Sequence, residues 1–137
     1  MFNPGGGRFA RGRDDDGTAP SRGYRGLWSR AHTQPLGGAG GTTIVFDGDN
    51  AWQTVIIEYV VVSTDQADGT TPVPHVRVYK GSQAQANFEG GTANGNFDTG
   101  VGQIIMGPAD EVLVVFAGGI PGSNATARLT GRYITER

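Results

Sequence analysis

Acidic side chains are the first candidates for chemistry, because closely spaced oxygen ligands can bind a divalent cation. Asp47-Gly48-Asp49-Asn50 has such a spacing. A calcium-binding loop would continue with further oxygen ligands and end on a glutamate at its twelfth position. Here the twelfth position is Glu58, inside an apolar run that predicts a strand. We therefore interpret residues 47–50 as a polar turn and expect no metal site.

Nucleophiles and general bases are equally sparse. The chain has no cysteine and two histidines, His32 and His75, which are far apart in the sequence. Ser123 lacks the flanking glycines of a nucleophile elbow. No glycine cluster continues into the Lys-Ser or Lys-Thr of a phosphate-binding loop. We expect a non-enzymatic protein that needs no cofactor.

Composition and charge divide the 137 residues unevenly. Residues 1–33 contain six arginines and three aspartates, whereas residues 34–137 contain five basic and ten acidic residues. The formal net charge of −2 therefore combines a basic N-terminal part with an acidic remainder. This asymmetry predicts an arm that docks on another surface. No apolar run approaches the roughly 20 residues of a membrane span, so no membrane contact is expected.

The N-terminal part is rich in glycine and poor in apolar residues. Residues 1–41 hold 11 of the 24 glycines, with scattered aromatic side chains. Such a segment buries too little surface to offset its ordering entropy, about 1–2 kcal/mol per residue. We therefore predict an extended arm over residues 1–41 without its own fold. Its expected assembly contacts are Phe2, Arg8, Phe9, Arg11, Arg13, Arg22, Tyr24, Arg25 and Trp28.

From residue 42 onward the sequence has the residue pattern that is typical of short β-strands. β-Branched runs are separated by turns such as Asp47-Gly48-Asp49-Asn50 and Gly118-Gly119-Ile120-Pro121-Gly122. No segment has a sustained 3.6-residue period. This pattern predicts an all-β domain over residues 42–137, an antiparallel β-sandwich or jelly roll.

The run at residues 54–62 is apolar on both faces, apart from Thr54 and Glu58. One face of this strand should pack on the core, and the other face needs a second surface to pack against it. We therefore expect Ile56, Val60 and Val62 to meet a second subunit or the returning arm. A closed homo-oligomeric ring, most simply a trimer, would satisfy this requirement.

Two segments of the body carry a resemblance to a known class. They are Met106-Gly107-Pro108-Ala109-Asp110-Glu111-Val112-Leu113-Val114-Val115-Phe116-Ala117-Gly118-Gly119 and Pro121-Gly122-Ser123-Asn124-Ala125-Thr126-Ala127-Arg128-Leu129-Thr130-Gly131. With the N-terminal arm, the body resembles the small β-sandwich accessory proteins of tailed bacteriophage virions. The resemblance implies a virion location, a many-copy structural role and the major capsid protein or other virion proteins as partners. The role would be capsid decoration and cementing, or that of a neck or tail adaptor.

Two other functions remain open. A carbohydrate-binding tail module would use exposed aromatic and acidic residues, for which the candidates are Trp52, Tyr79, Phe88 and Asp98. Alternatively, the arginine–glycine pairs of the arm resemble segments that bind nucleic acid through phosphate charge and base stacking. The arm's net charge of only +3 and its Asp14-Asp15-Asp16 triplet favour carboxylates of a protein neighbour as the arm's partner instead.

Overall fold

The computed structural model of the protein describes residues 24–48, 51–67, 70–92, 97–99 and 104–135. These residues form two antiparallel sheets packed face to face, which confirms the predicted all-β sandwich. The strands are β1 (Tyr24–Pro35), β2 (Thr42–Asp47), β3 (Gln53–Thr64), β4 (His75–Lys80), β5 (Phe88–Thr92), β6 (Phe97–Thr99), β7 (Ile104–Met106), β8 (Glu111–Ala117) and β9 (Asn124–Thr135). A single turn of 3-10 helix at Gln85–Asn87 joins β4 to β5.

The larger sheet has the order β1-β9-β3, and the short strands β6 and β7 both pair with the far side of β3. The smaller sheet has the order β2-β8-β4-β5. Alternating apolar residues of both sheets face each other and are almost completely buried, as the period of two in a strand requires. They include Ile44, Phe46, Val55, Ile57, Val76, Val78, Ile104, Met106, Val112, Val114, Phe116, Ala127 and Leu129.

A β-bulge in β3 changes which residues of the strand face the core. The register with β9 shifts between Ile57 and Tyr59, so that Glu58 is the extra residue. Before the bulge Ile57 points inward, and after it Val60 and Val62 point inward with 0% and 2% of their surface exposed. The prediction that Val60 and Val62 form a subunit or arm contact is therefore wrong, because both lie in the protein's own core.

The boundary of the predicted arm is also wrong. Residues 24–35 form β1, which pairs with β9 along its whole length from Tyr24 opposite Thr135 to Pro35 opposite Asn124. Trp28, predicted as an assembly contact, is 7% exposed and belongs to the core, because β1 extends the larger sheet beside β9 and places this residue on its inner side.

The chain after β1 is also held to the body. Leu36 is buried, donates its backbone N–H to Ser123 O at 2.7 Å and accepts the N–H of Gly122 at 2.9 Å. Gly119 N donates to Gly40 O at 2.8 Å. The sandwich therefore begins at residue 24 instead of residue 42, and only residues 1–23 of the predicted arm lie outside the described part of the chain.

Candidate functional site

The larger sheet exposes an apolar row on the face that points away from the core. Strand register places Leu27 of β1 beside Arg132 of β9, Arg132 beside Ile56 of β3, and Ile56 beside Ile105 of β7. Leu27 is 92% exposed and Ile105 is 52% exposed. Ile56 is half-buried on the side away from the core, and its contact with a second subunit or the arm stays a prediction.

Further apolar residues extend this row along the strands. Tyr59, which follows the bulge, is 54% exposed and lies opposite Thr130. Val61 and Ile134 point to the same side and are half-buried. We call Leu27, Ile56, Tyr59, Val61, Ile105 and Ile134 the outer apolar face.

A pair of opposite charges lies within the outer apolar face. Arg132 Nε is 3.2 Å from Glu58 Oε2, and the two side chains are 41% and 37% exposed. Among the described residues, Nε finds no hydrogen bond, so the contact is an ion pair without hydrogen-bond geometry. A pair as exposed as this one contributes about 0–1 kcal/mol to stability. Its main effect is to place both signs of charge within an apolar surface.

The smaller sheet also has an apolar row on its outer side, but only the two ends of this row are exposed. Register aligns Val45, Leu113, Tyr79 and Phe88 across the four strands. Leu113 and Tyr79 are each only 8% exposed. Gln83, in the loop between β4 and β5, reaches Thr43 Oγ1 on the edge strand β2 at 3.5 Å, so this loop crosses the sheet. The two outer faces thus differ in how much of their apolar rows is exposed.

The residues proposed for carbohydrate binding do not form one platform. Tyr79 is buried against Phe88, with ring centroids 5.8 Å apart, and Arg77 lies 5.5 Å from the Phe88 ring centroid. Trp52 is 48% exposed, just before β3 of the other sheet. The side chain of Asp98 lies outside the described residues. Trp52 is thus the most exposed of the three aromatic candidates.

A shallow cleft of about 460 Å³ lies at the end of the sandwich and is lined by polar residues of the β4–β5 and β7–β8 connections. Three of its polar side chains, Lys80, Asn87 and Asp110, make contacts within the chain. Asp110 Oδ2 accepts the N–H of Gly107 at 2.8 Å and lies 3.6 Å from Lys80 Nζ, while Asn87 Nδ2 donates to Ser82 Oγ at 2.9 Å. These contacts stabilise the two turns and account for the polarity of the cleft without a ligand.

Chemistry-bearing residues are scattered over the described part of the chain. Across these ranges no three His, Asp or Glu side chains come together in a group that could hold a metal ion. Within the same ranges, no helix has the length and hydropathy needed to cross a membrane.

The predicted arm contacts have different positions. Arg25 is exposed on the outer side of β1 opposite Ile134, and Tyr24 is the first residue of that strand. Six others lie outside the described residues: Phe2, Arg8, Phe9, Arg11, Arg13 and Arg22. The sequence prediction missed Leu27 and Ile105. The available signal for Ile105 was the apolar pair Ile104-Ile105, in which one residue must face outward.

The fold and this surface define a β-sandwich domain whose larger sheet has the more open apolar outer face. No protein-family model matches the chain, and no curated protein matches its sequence.

Proposed function

We propose that the protein is a non-enzymatic structural protein of a phage virion, a decoration or cement protein that binds and stabilises the assembled particle. The observation that carries this proposal is the outer apolar face, whose Leu27, Tyr59 and Ile105 are more than half exposed on paired strands. Large exposed apolar patches on soluble proteins mark protein–protein contacts. Because the centre of the apolar row on the smaller sheet is buried, side chains exposed to more than one half are a feature of the larger sheet's outer face.

The rigidity of this surface supports an assembly role. Strands β1, β9 and β3 each have 12 residues and hold the face through long antiparallel pairing, which only the bulge at Glu58 interrupts. Interface backbones that change little on binding lose little entropy when they dock. The basic residues before β1, Arg8, Arg11, Arg13 and Arg22, supply a second contact that can pair with carboxylates of a capsid surface.

The proposal is tested on particles produced from the genome that encodes this chain. Quantitative mass spectrometry of gradient-purified particles should detect the protein in a fixed ratio to the major capsid protein. A ratio close to the number of capsid subunits would indicate decoration, and a ratio close to that of the neck or tail proteins would indicate an adaptor. Absence of the protein from intact particles would overturn the proposal.

A pair of matched variants then tests the outer apolar face. Leu27→Asp places a charge on this face, whereas Val73→Asp places one at an exposed position, 40% accessible, in the β3–β4 connection. We expect Leu27→Asp protein to fold but to be lost from particles, and Val73→Asp protein to be incorporated normally. Equal incorporation of both variants would show that the outer apolar face makes no contact that assembly on the particle needs.

Carbohydrate binding is a second candidate, and the exposure of Trp52 favours it. An indole ring that is 48% accessible at the end of a sandwich can stack on the apolar side of a sugar ring. A glycan array should then give hits that disappear in Trp52→Ala and persist in Leu27→Asp. An array without hits for the unchanged protein would eliminate this function.

A further inference from the structure

We infer that the outer apolar face is the contact between two copies of this chain, packed sheet against sheet around a two-fold axis. The inference rests on the proposed function only in treating this face as an assembly surface. It names the occupant of the face, a second copy, and leaves the residues before Tyr24 to bind the particle. Three features of the described residues carry it.

The first feature is the order of residues across the sheet. The row runs Leu27, Arg132, Ile56, Ile105, with an apolar residue at each end. A two-fold axis parallel to the strands, between β9 and β3, reverses this order in the second copy. Leu27 then lies over Ile105 of the second copy, and Arg132 lies over Ile56. Each exposed end of the row finds an apolar partner, as the self-complementary surface of a two-fold dimer requires.

The second feature is the charge at the centre of the face. The bulge at Glu58 places a carboxylate 3.2 Å from Arg132 Nε, and both side chains remain more than one-third exposed. Since the face contains both signs, two copies can meet with each Arg132 near the Glu58 of the other. Arg128 does not oppose this contact, because its guanidinium lies along the sheet and donates to Ser29 Oγ at 3.0 Å.

The third feature is the size of the face. The three 12-residue strands β1, β9 and β3, spaced by about 4.8 Å and about 40 Å long, give roughly 600 Å² per copy, or about 1,200 Å² in total. This area reaches the lower bound of specific protein–protein interfaces, about 1,200–2,000 Å². Sheets stacked face to face at about 10 Å are a common packing mode within sandwiches, and the proposed dimer repeats it between chains.

The assembly is limited to two copies, because each copy uses the same face for the contact. This differs from the trimer expected from the sequence, which would need two different surfaces on each copy. Sedimentation equilibrium and light scattering of the full chain over a range of concentrations should give the mass of a dimer. A monomer at all concentrations, or a trimer, would overturn the inference.

Variants show which surface makes the contact. Leu27→Asp and Ile105→Asp should each raise the dimer dissociation constant by about 30-fold or more, the effect of losing an interface hot spot. Val45→Asp is the matched control, since Val45 is 40% exposed on a strand of the other sheet. It should leave the dissociation constant unchanged. Dimerisation that is lost in Val45→Asp but kept in Leu27→Asp would overturn the inference.

A charge exchange tests the centre of the face. Glu58→Lys places two positive charges together and should dissociate the dimer, while Glu58→Lys combined with Arg132→Glu should restore it. Thermal unfolding of each variant shows whether the sandwich is intact. Because Leu27 is 92% exposed in the single chain, Leu27→Asp should still fold and lose only the thermal stability that dimer formation adds. Its mass therefore remains informative even if Glu58→Lys unfolds.

Deletion of residues 1–23 distinguishes two possible occupants of the outer apolar face, a second copy of the chain and the N-terminal segment. A dimer that persists without these residues supports the contact between sheets, and a monomer would show that the N-terminal segment makes the contact instead. The particle experiment remains independent of this result. Dimers that never enter particles would refute only the virion role, and incorporation of a protein that is always monomeric would refute only the inference.

Discussion

Gly26 and Tyr133 are direct partners on β1 and β9, and the tyrosine ring occupies the space that a side chain at position 26 would need. A Cβ atom at Gly26 would lie 2.5 Å from Cε1 and 2.6 Å from the hydroxyl oxygen of Tyr133. Tyr133 in turn packs against the core. Gly26 makes β1 look unlike a strand in the sequence. The same glycine leaves the space over β1 that the Tyr133 ring occupies.

Gly26→Ala should destabilise the protein by about 1–3 kcal/mol, because the ring must leave its place or the strands must separate. Chemical denaturation measures the loss. Gly38→Ala is the control, since nothing lies within 4 Å of a Cβ at that position. In a Tyr133→Ala background, Gly26→Ala should cost much less. Additive losses in the double variant would contradict the contact.

Gly131→Ala should be more harmful than Gly26→Ala. A Cβ at Gly131 would collide with the backbone carbonyl of Ile56, next to the bulge in β3, and backbone cannot rotate away as a ring can. We expect a loss of about 3 kcal/mol in the free energy of unfolding, measured by urea denaturation. A loss no larger than that of Gly26→Ala would show that the two strands can separate at this point.

The bulge also predicts the pattern of an alanine scan along β3. Val60→Ala removes a fully buried side chain and should cost about 2 kcal/mol, whereas Val61→Ala changes the half-buried outer side and should cost well under half as much. A regular strand without the bulge would give the opposite order. Thermal or urea unfolding of the two variants distinguishes the two arrangements.

Asp110 should be important for the turn and not for a ligand. It accepts the N–H of Gly107 and lies beside Lys80, so Asp110→Ala should cost about 1 kcal/mol in the free energy of unfolding. Lys80→Ala removes only an exposed ion pair and should change stability by less than about 0.5 kcal/mol. A larger loss for Lys80→Ala than for Asp110→Ala would contradict this assignment.

The sequence predicted the strands whose apolar residues are dense, such as Val112 to Phe116, and the turns at Gly118 and Gly122, where positive backbone φ angles favour glycine. It did not predict β1. The side of β1 that faces inward carries Gly26, Arg30, His32 and Gln34 besides Trp28, because an edge strand is only partly covered. The sequence of β1 therefore lacks the alternating apolar pattern of a buried strand, because its pairing with β9 supplies the stability.

The outer apolar face was only half predictable. The sequence showed that β3 is apolar on both sides, which identified Ile56 as a residue away from the core. It did not show the bulge, because the sequence alone does not distinguish a glutamate at the extra position of a bulge from a glutamate in a regular strand. A shift of one residue moves every following side chain to the other face. Leu27 could not be placed on the same face, since that requires the register between β1 and β9.

Tyr24 and Thr135 face each other at one corner of the larger sheet, so the chain enters and leaves the described sandwich at the same point. A short linker could join these two residues without crossing either sheet. New ends could then be opened in the exposed connection between β3 and β4, and the circularly permuted domain should keep all its strand pairings. Fluorescent labels attached before residue 24 and after residue 135 should also show strong energy transfer, and would report fraying of β1 as it separates from β9.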